Sequence, residues 1–249
     1  MKRRAAAIVL LASTLACRSA GTPSPAAVAP VPPAAVAPVT RADPDSIRWT
    51  RDSAEYRAAL SQVYQQATAR IETEAKARVR GAWAVVLDAD ETVISNLTYQ
   101  VERARLGQSF TPESWNAWVR RREATPLPGA AAFLSRVRSL GGRIAIVTNR
   151  LQSECADTEA VFKTHALVYD VMLCRPEGAP SDKNPRFDAV ASGRALSSAA
   201  PLDIVAIVGD NILDFPRLSQ AIKTQGDASF ADFGVRYFVV PNPMYGSWQ

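Results

Sequence analysis

The apolar positions Trp49, Tyr56, Leu60, Val63, Ala67 and Ile71 recur at steps of three, four and seven. That spacing predicts one face of a long amphipathic helix over residues 49–79, stopped at Gly81. Beyond Gly81 the period is lost. Residues 84–87 (Ala-Val-Val-Leu) form a short unbroken apolar run, as expected of a strand buried on both faces. Comparable runs lie at 144–147, 167–173, 204–208 and 235–240, and helical patterning fills 130–140, 152–164 and 216–222 between them. Strands alternating with helices predict an α/β fold, a doubly wound (Rossmann-like), mostly parallel sheet. Residues 95–125 break the alternation. With Tyr99, Phe110, Trp115 and Trp118 they read as a small helical cap inserted after the first strand.

Ahead of this body the pattern is of a different kind. Met1-Lys2-Arg3-Arg4 is a basic segment, and residues 5–16 are apolar but too few to span a bilayer. Residues 1–16 are therefore expected to be an export signal. Thr14-Leu15-Ala16-Cys17 resembles a bacterial lipobox, with Thr14 where Leu is usual, so Cys17 is the expected lipidation site. The chain would then sit in the bacterial outer membrane or cell envelope. Ordinary cleavage nearby would instead leave a soluble periplasmic or secreted protein. Residues 17–46, rich in Pro and Ala, suit an extended tether, and 47–249 form the folded domain. Loss of Lys2, Arg3 and Arg4 lowers 29 basic residues to 26 against 24 acidic ones, so the net charge falls from +5 to +2. No basic block remains in the body, which argues against a nucleic-acid polymer as partner. Cys155 and Cys174 can pair outside the cytoplasm, but two buried free thiols are the commoner arrangement.

The chemistry gathers at the predicted strand ends, where α/β sheets bind ligands. The first strand runs into Asp88-Ala89-Asp90-Glu91-Thr92, the second into Thr148-Asn149-Arg150, and the fourth into Gly209-Asp210-Asn211 with Asp214 following. Any one of these could be a turn or a helix cap. Together they would bring several carboxylates to one crevice, which is costly unless a cation lies between them. Mg²⁺, which takes hard oxygen ligands, meets that need.

These stretches resemble the haloacid dehalogenase superfamily, and within it the class C acid phosphatases, typified by outer-membrane lipoprotein nucleotidases. Trp49-x-x-x-Ser53-Ala54-Glu55-Tyr56-Arg57, Asn96-x-x-Tyr99 and Pro241-Asn242-Pro243-Met244-Tyr245-Gly246-Ser247-Trp248 extend the likeness from about residue 47 to the C-terminus. Ala89 departs from it, standing where that family usually has Leu or Ile. The resemblance implies a phosphomonoesterase with Asp88 as nucleophile and Asp90 as general acid and base. It implies Mg²⁺ held by Asp88, the Asp90 carbonyl and Asp210, with Asp214 orienting metal-bound water. Thr148 and the Asn149 amide would bind phosphoryl oxygens. A lysine between the third and fourth strands would stabilise the transition state; Lys183 fits, and Lys163 comes too early. Trp115 and Tyr245 match the aromatic positions that enclose the base of a nucleoside monophosphate, although each can equally be plain packing.

Other hydrolytic chemistries lack their residues. The only histidine, His165, is expected within a strand as a structural side chain, and neither G-x-S-x-G nor a P-loop motif occurs. One alternative keeps the fold and drops the catalysis: a surface lipoprotein binding a nucleotide or haem. An intact Asp88/Asp90 pair weighs against it, because a pure binder has no use for the second aspartate.

Overall fold

The computed structural model describes residues 42–198 and 200–249. The expected signal, Cys17 and the tether up to residue 41 lie outside the described residues. Helix α1 (Asp45–Asp52) and α2 (Ala54–Ala75) replace the single long helix read from the periodicity. Ser53 makes the break. Its backbone is extended, and its hydroxyl accepts from the Tyr56 N–H at 3.0 Å, capping α2. The apolar stripe is correct for α2, whose Tyr56, Leu60, Tyr64, Ala67 and Ile71 are buried.

Strand β1 (Trp83–Leu87) is buried at every position. The cap follows it: β2 (Ile94–Ser95), α3 (Leu97–Arg105), α4 (Pro112–Arg121) and β3 (Thr125–Pro126), with β2 and β3 paired antiparallel at its neck. Thr111 caps α4 through a reciprocal bond with Ser114. Then come α5 (Ala130–Leu140), β4 (Arg143–Leu151), α6 (Cys155–Thr164), β5 (Val171–Arg175), α7 (Asn184–Ala191), β6 (Asp203–Gly209) and β7 (Tyr237–Val239).

The five long strands form one sheet in the order β5-β4-β1-β6-β7, and every pairing is parallel. This is the expected α/β architecture, with β1 at the centre. One core layer packs α2 and α5 against one face of the sheet; the other gathers Phe187, Val190, Phe215 and Tyr237 on the opposite face. No helix among the described residues is long and apolar enough to cross a membrane.

Four local expectations are corrected. The third strand starts at Val171, not 167, because the chain turns at His165 and Ala166 after α6. His165 closes that helix and is not in a strand. Residues 216–222 form no α-helix: Arg217 adopts φ 60°, and only a 3₁₀ turn at Gln220–Thr224 follows. Cys155 and Cys174 are joined by a disulfide between the start of α6 and β5. Free thiols were the wrong expectation because the parallel pairing of β4 with β5 brings the two positions together, a proximity invisible in their separation of 19 residues.

Candidate active site

The register of the sheet assembles the site. Leu87 lies opposite Ile146 on β4 and Val208 on β6, so Asp88, Thr148 and Asp210 all emerge at the carboxyl edge of the sheet. The Asp88 N–H donates to the Val208 carbonyl at 3.0 Å, which carries the β1–β6 ladder into the acidic loop. Gly209 permits the next step. A Cβ there would sit 2.3 Å from the Asp214 Cβ, so only glycine lets the Ile212–Asp214 turn fold back over the strand end.

Asp88, Asp210 and Asp214 each present an oxygen within 4.8 Å of the others. Lys183, buried ahead of α7, donates from Nζ to Asp88 Oδ1 at 2.5 Å and to Asp214 Oδ1 at 2.6 Å. Burial works against its charge, but Asp214 and Asp88 outweigh that and hold the ammonium above the ordinary lysine range. Burial pushes Asp88 up to about 7, opposed chiefly by Lys183. Asp210 is raised well above the carboxylate range by burial and by Asp214 and Asp88, while Asn242 Nδ2 donates to its Oδ2 at 2.7 Å. Three carboxylates, Asp88 and Asp214 buried and Asp210 half-buried, with one ammonium among them leave uncompensated negative charge. Their hard oxygen donors suit a divalent cation.

Asp90 is turned away from that cluster. Its Oδ1 accepts from Arg150 Nη2 at 2.7 Å, Arg150 Nε at 3.0 Å and Asn96 Nδ2 at 2.8 Å; its Oδ2 accepts only from Arg150 Nε at 3.1 Å. Arg150 is 3% exposed, and Asp90 outweighs burial to hold its guanidinium above its usual range. The Arg150 guanidinium also lies over the Trp115 ring of the cap, 5.2 Å from its centre.

Glu91 adopts φ 51° and is buried. Its carboxylate accepts from the Asn96 N–H at 2.6 Å and from the Tyr245 hydroxyl, and burial, with Asp90, pushes it up to about 7. Tyr245 thus reaches the loop through Glu91, and Trp115 reaches Asp90 through Arg150. Thr148 is buried within β4, just past the residues that pair with β1, and its hydroxyl accepts from the Arg150 N–H at 3.2 Å. The Asn149 side chain accepts from Arg186 Nη2 at 2.6 Å, and the Thr148 carbonyl accepts from Arg186 Nη1.

The sequence reading assigned no role to Glu91, Asn96, Arg150, Arg186 or Asn242. Four of them lie inside the quoted motifs, where their chemistry stood in plain view without a partner. Arg186 carried no signal, since an arginine on a short helix is ordinarily solvated.

The family model for the HAD superfamily, subfamily IIIB (acid phosphatase), matches residues 4–248. The chain belongs to this family. The class C acid phosphatase from Bacillus anthracis, in a structure with tungstate bound, is 26% identical and superposes with a TM-score of 0.70. The match covers 82% of this chain and 84% of that one; a second structure of the same enzyme gives 0.69. Among curated proteins, the stem 28 kDa and stem 31 kDa glycoproteins of Glycine max are 26% and 25% identical over 161 and 167 residues. Those matches cover 64% of this chain and 58% of each glycoprotein. The α/β fold thus matches that of a class C acid phosphatase.

Proposed function

We propose that the protein is an exported, Mg²⁺-dependent acid phosphatase that hydrolyses phosphomonoesters, nucleoside monophosphates among them, through a phosphoaspartyl intermediate on Asp88. The observation that carries the reading is the Asp88–Lys183–Asp214 arrangement beside Asp210 at the carboxyl end of β1. Asp88 Oδ2 attacks phosphorus as the bond to the leaving oxygen breaks. Asp90 gives its proton to that oxygen, then takes one from the water that opens the acyl phosphate. Lys183, Thr148 and the Asn149 amide are assigned to the phosphoryl oxygens. Asp88, Asp210 and Asp214, with the Asp90 carbonyl, would hold Mg²⁺, which would neutralise the repulsion between carboxylate and phosphate. That the Bacillus anthracis enzyme binds tungstate, a tetrahedral oxyanion, supports a phosphoryl substrate. Trp115 and Tyr245, both half-buried beside the acidic loop, are assigned to the base of a nucleotide.

The assay is hydrolysis of p-nitrophenyl phosphate and of 5′-nucleoside monophosphates, with and without EDTA. Asp88→Asn is expected to lower kcat by at least about 10³-fold, as loss of a nucleophile does elsewhere. Turnover that persists in this variant, or after chelation, removes the mechanism.

Export and a lipid anchor on Cys17 belong to the same proposal. The Cys155–Cys174 disulfide supports them, since such bonds persist mainly outside the cytoplasm. Cys17→Ala is expected to move the protein from the detergent phase to the aqueous phase in a partitioning experiment.

A further inference from the structure

We propose that Arg150 is a positioning residue for proton delivery, fixing the Asp90 carboxyl so that Oδ2 is the oxygen that carries the proton; the proposal rests on Asp90 being the general acid. Three donors converge on Oδ1, at 2.7, 2.8 and 3.0 Å. Oδ2 shares only the Arg150 Nε–H, at 3.1 Å. A carboxyl group so held keeps a lone pair free on one oxygen alone, and a proton placed on Oδ1 would displace a donor. Arg150 is itself fixed from three directions. Nη1 donates to Thr158 Oγ1 on α6 at 3.1 Å, Nη2 also donates to Asn96 Oδ1 at 3.0 Å, and the Trp115 ring covers one face. A planar fork clamped in this way sets both the place and the rotation of the carboxylate, which the point charge of lysine does not.

The step balances without any further reactant. As the Asp88 oxygen–phosphorus bond forms and the ester bond breaks, the proton on Asp90 Oδ2 passes to the departing alkoxide. Asp90 becomes a carboxylate, which the Arg150 guanidinium already pairs. In the second half, Oδ2 accepts the proton of the attacking water, whose oxygen bonds to phosphorus as the Asp88 ester bond breaks.

The readout is how kcat/KM, which reports the steps up to release of the alcohol and not hydrolysis of the phosphoenzyme, depends on the basicity of the leaving group. Phenolates with low pKa depart without a proton, whereas alkoxides need one. Arg150→Met is expected to lower kcat/KM for alkyl phosphates by about 10²-fold, the lower range for general-acid assistance, and to lower kcat/KM for p-nitrophenyl phosphate much less. Asp90→Asn is expected to tilt the series in the same way, the double variant to tilt it no further, and Arg150→Lys to restore part of the loss. A uniform fall in kcat/KM across the series in Arg150→Met, or additive losses in the double variant, overturns the proposal. A flat series in Asp90→Asn overturns the general-acid reading itself, and the proposal with it. If Arg150→Met does not fold, Thr158→Val, which removes the Nη1 acceptor together with the hydroxyl's own bond to the Glu154 carbonyl within α6, is read on the same series. A smaller tilt in the same direction supports the role, and an unchanged slope overturns it.

Discussion

Glu91 shows how tightly single residues are confined beside the Asp88–Asp214 carboxylate cluster. It is buried, held in a left-handed backbone conformation, and tied by its carboxylate to the cap and to the C-terminal segment. Burial raises its pKa from 4.5 to about 7, so the folded protein binds this proton more tightly than the unfolded chain. Between about pH 4.5 and 7 the native state then holds more protons, and stability falls as pH rises through that window. Metal-free protein is therefore expected to melt at lower temperature at pH 7 than at pH 5, and Glu91→Gln to flatten the dependence. Gly209→Ala is a second test at this scale. Its Cβ would force Asp214 aside, so the variant is expected to lose most of its response to divalent cation while keeping its far-UV spectrum. Isothermal titration with Mg²⁺ measures it. The acidic clusters themselves were legible in the sequence because the first opens directly after the apolar run 84–87 and the second begins just past the run 204–208. The roles of Arg150 and Asn96 were not, because a hydrogen bond such as that between Arg150 and Asp90 joins positions far apart in the chain.

Among the elements, the buried strands were legible and the helix boundaries less so. A continuous apolar run on a parallel strand reports burial on both faces, which β1 and the centre of β4 bear out. The break at Ser53 was hidden because helical periodicity continues on both sides of it, and only the cap geometry separates α1 from α2. The disulfide was hidden for a related reason, since sequence separation does not report which strands are neighbours. In the chain-entropy account, closing a loop across 19 residues stabilises the fold by about 3 kcal/mol. Cys155→Ser/Cys174→Ser is expected to lose about that much in urea unfolding, measured against the oxidised parent.

On the scale of the whole molecule, the sheet works as a frame that holds carboxylates against their mutual repulsion. Each of Asp88, Asp210 and Asp214 is fixed by backbone that is itself fixed by the β1–β6 ladder or by the turn that Gly209 permits. A ligand that relieves this repulsion in the folded state, and has no such site in the unfolded one, must raise stability. Mg²⁺ at about 100 times its Kd is expected to add about 2.7 kcal/mol, a rise in melting temperature of roughly 5–10 °C. Differential scanning calorimetry against an EDTA control checks it.

The residues beyond β7 have a role in time as well as in space. Asn242 bonds Asp210, Tyr245 bonds Glu91, and Ser247 bonds Asn211 at 2.6 Å. On a ribosome these residues appear after every carboxylate they secure has already been made. The nascent chain thus passes through a stage at which the sheet can form while its acidic loops still lack their fastenings. Those fastenings arrive only once residues 242–247 have emerged.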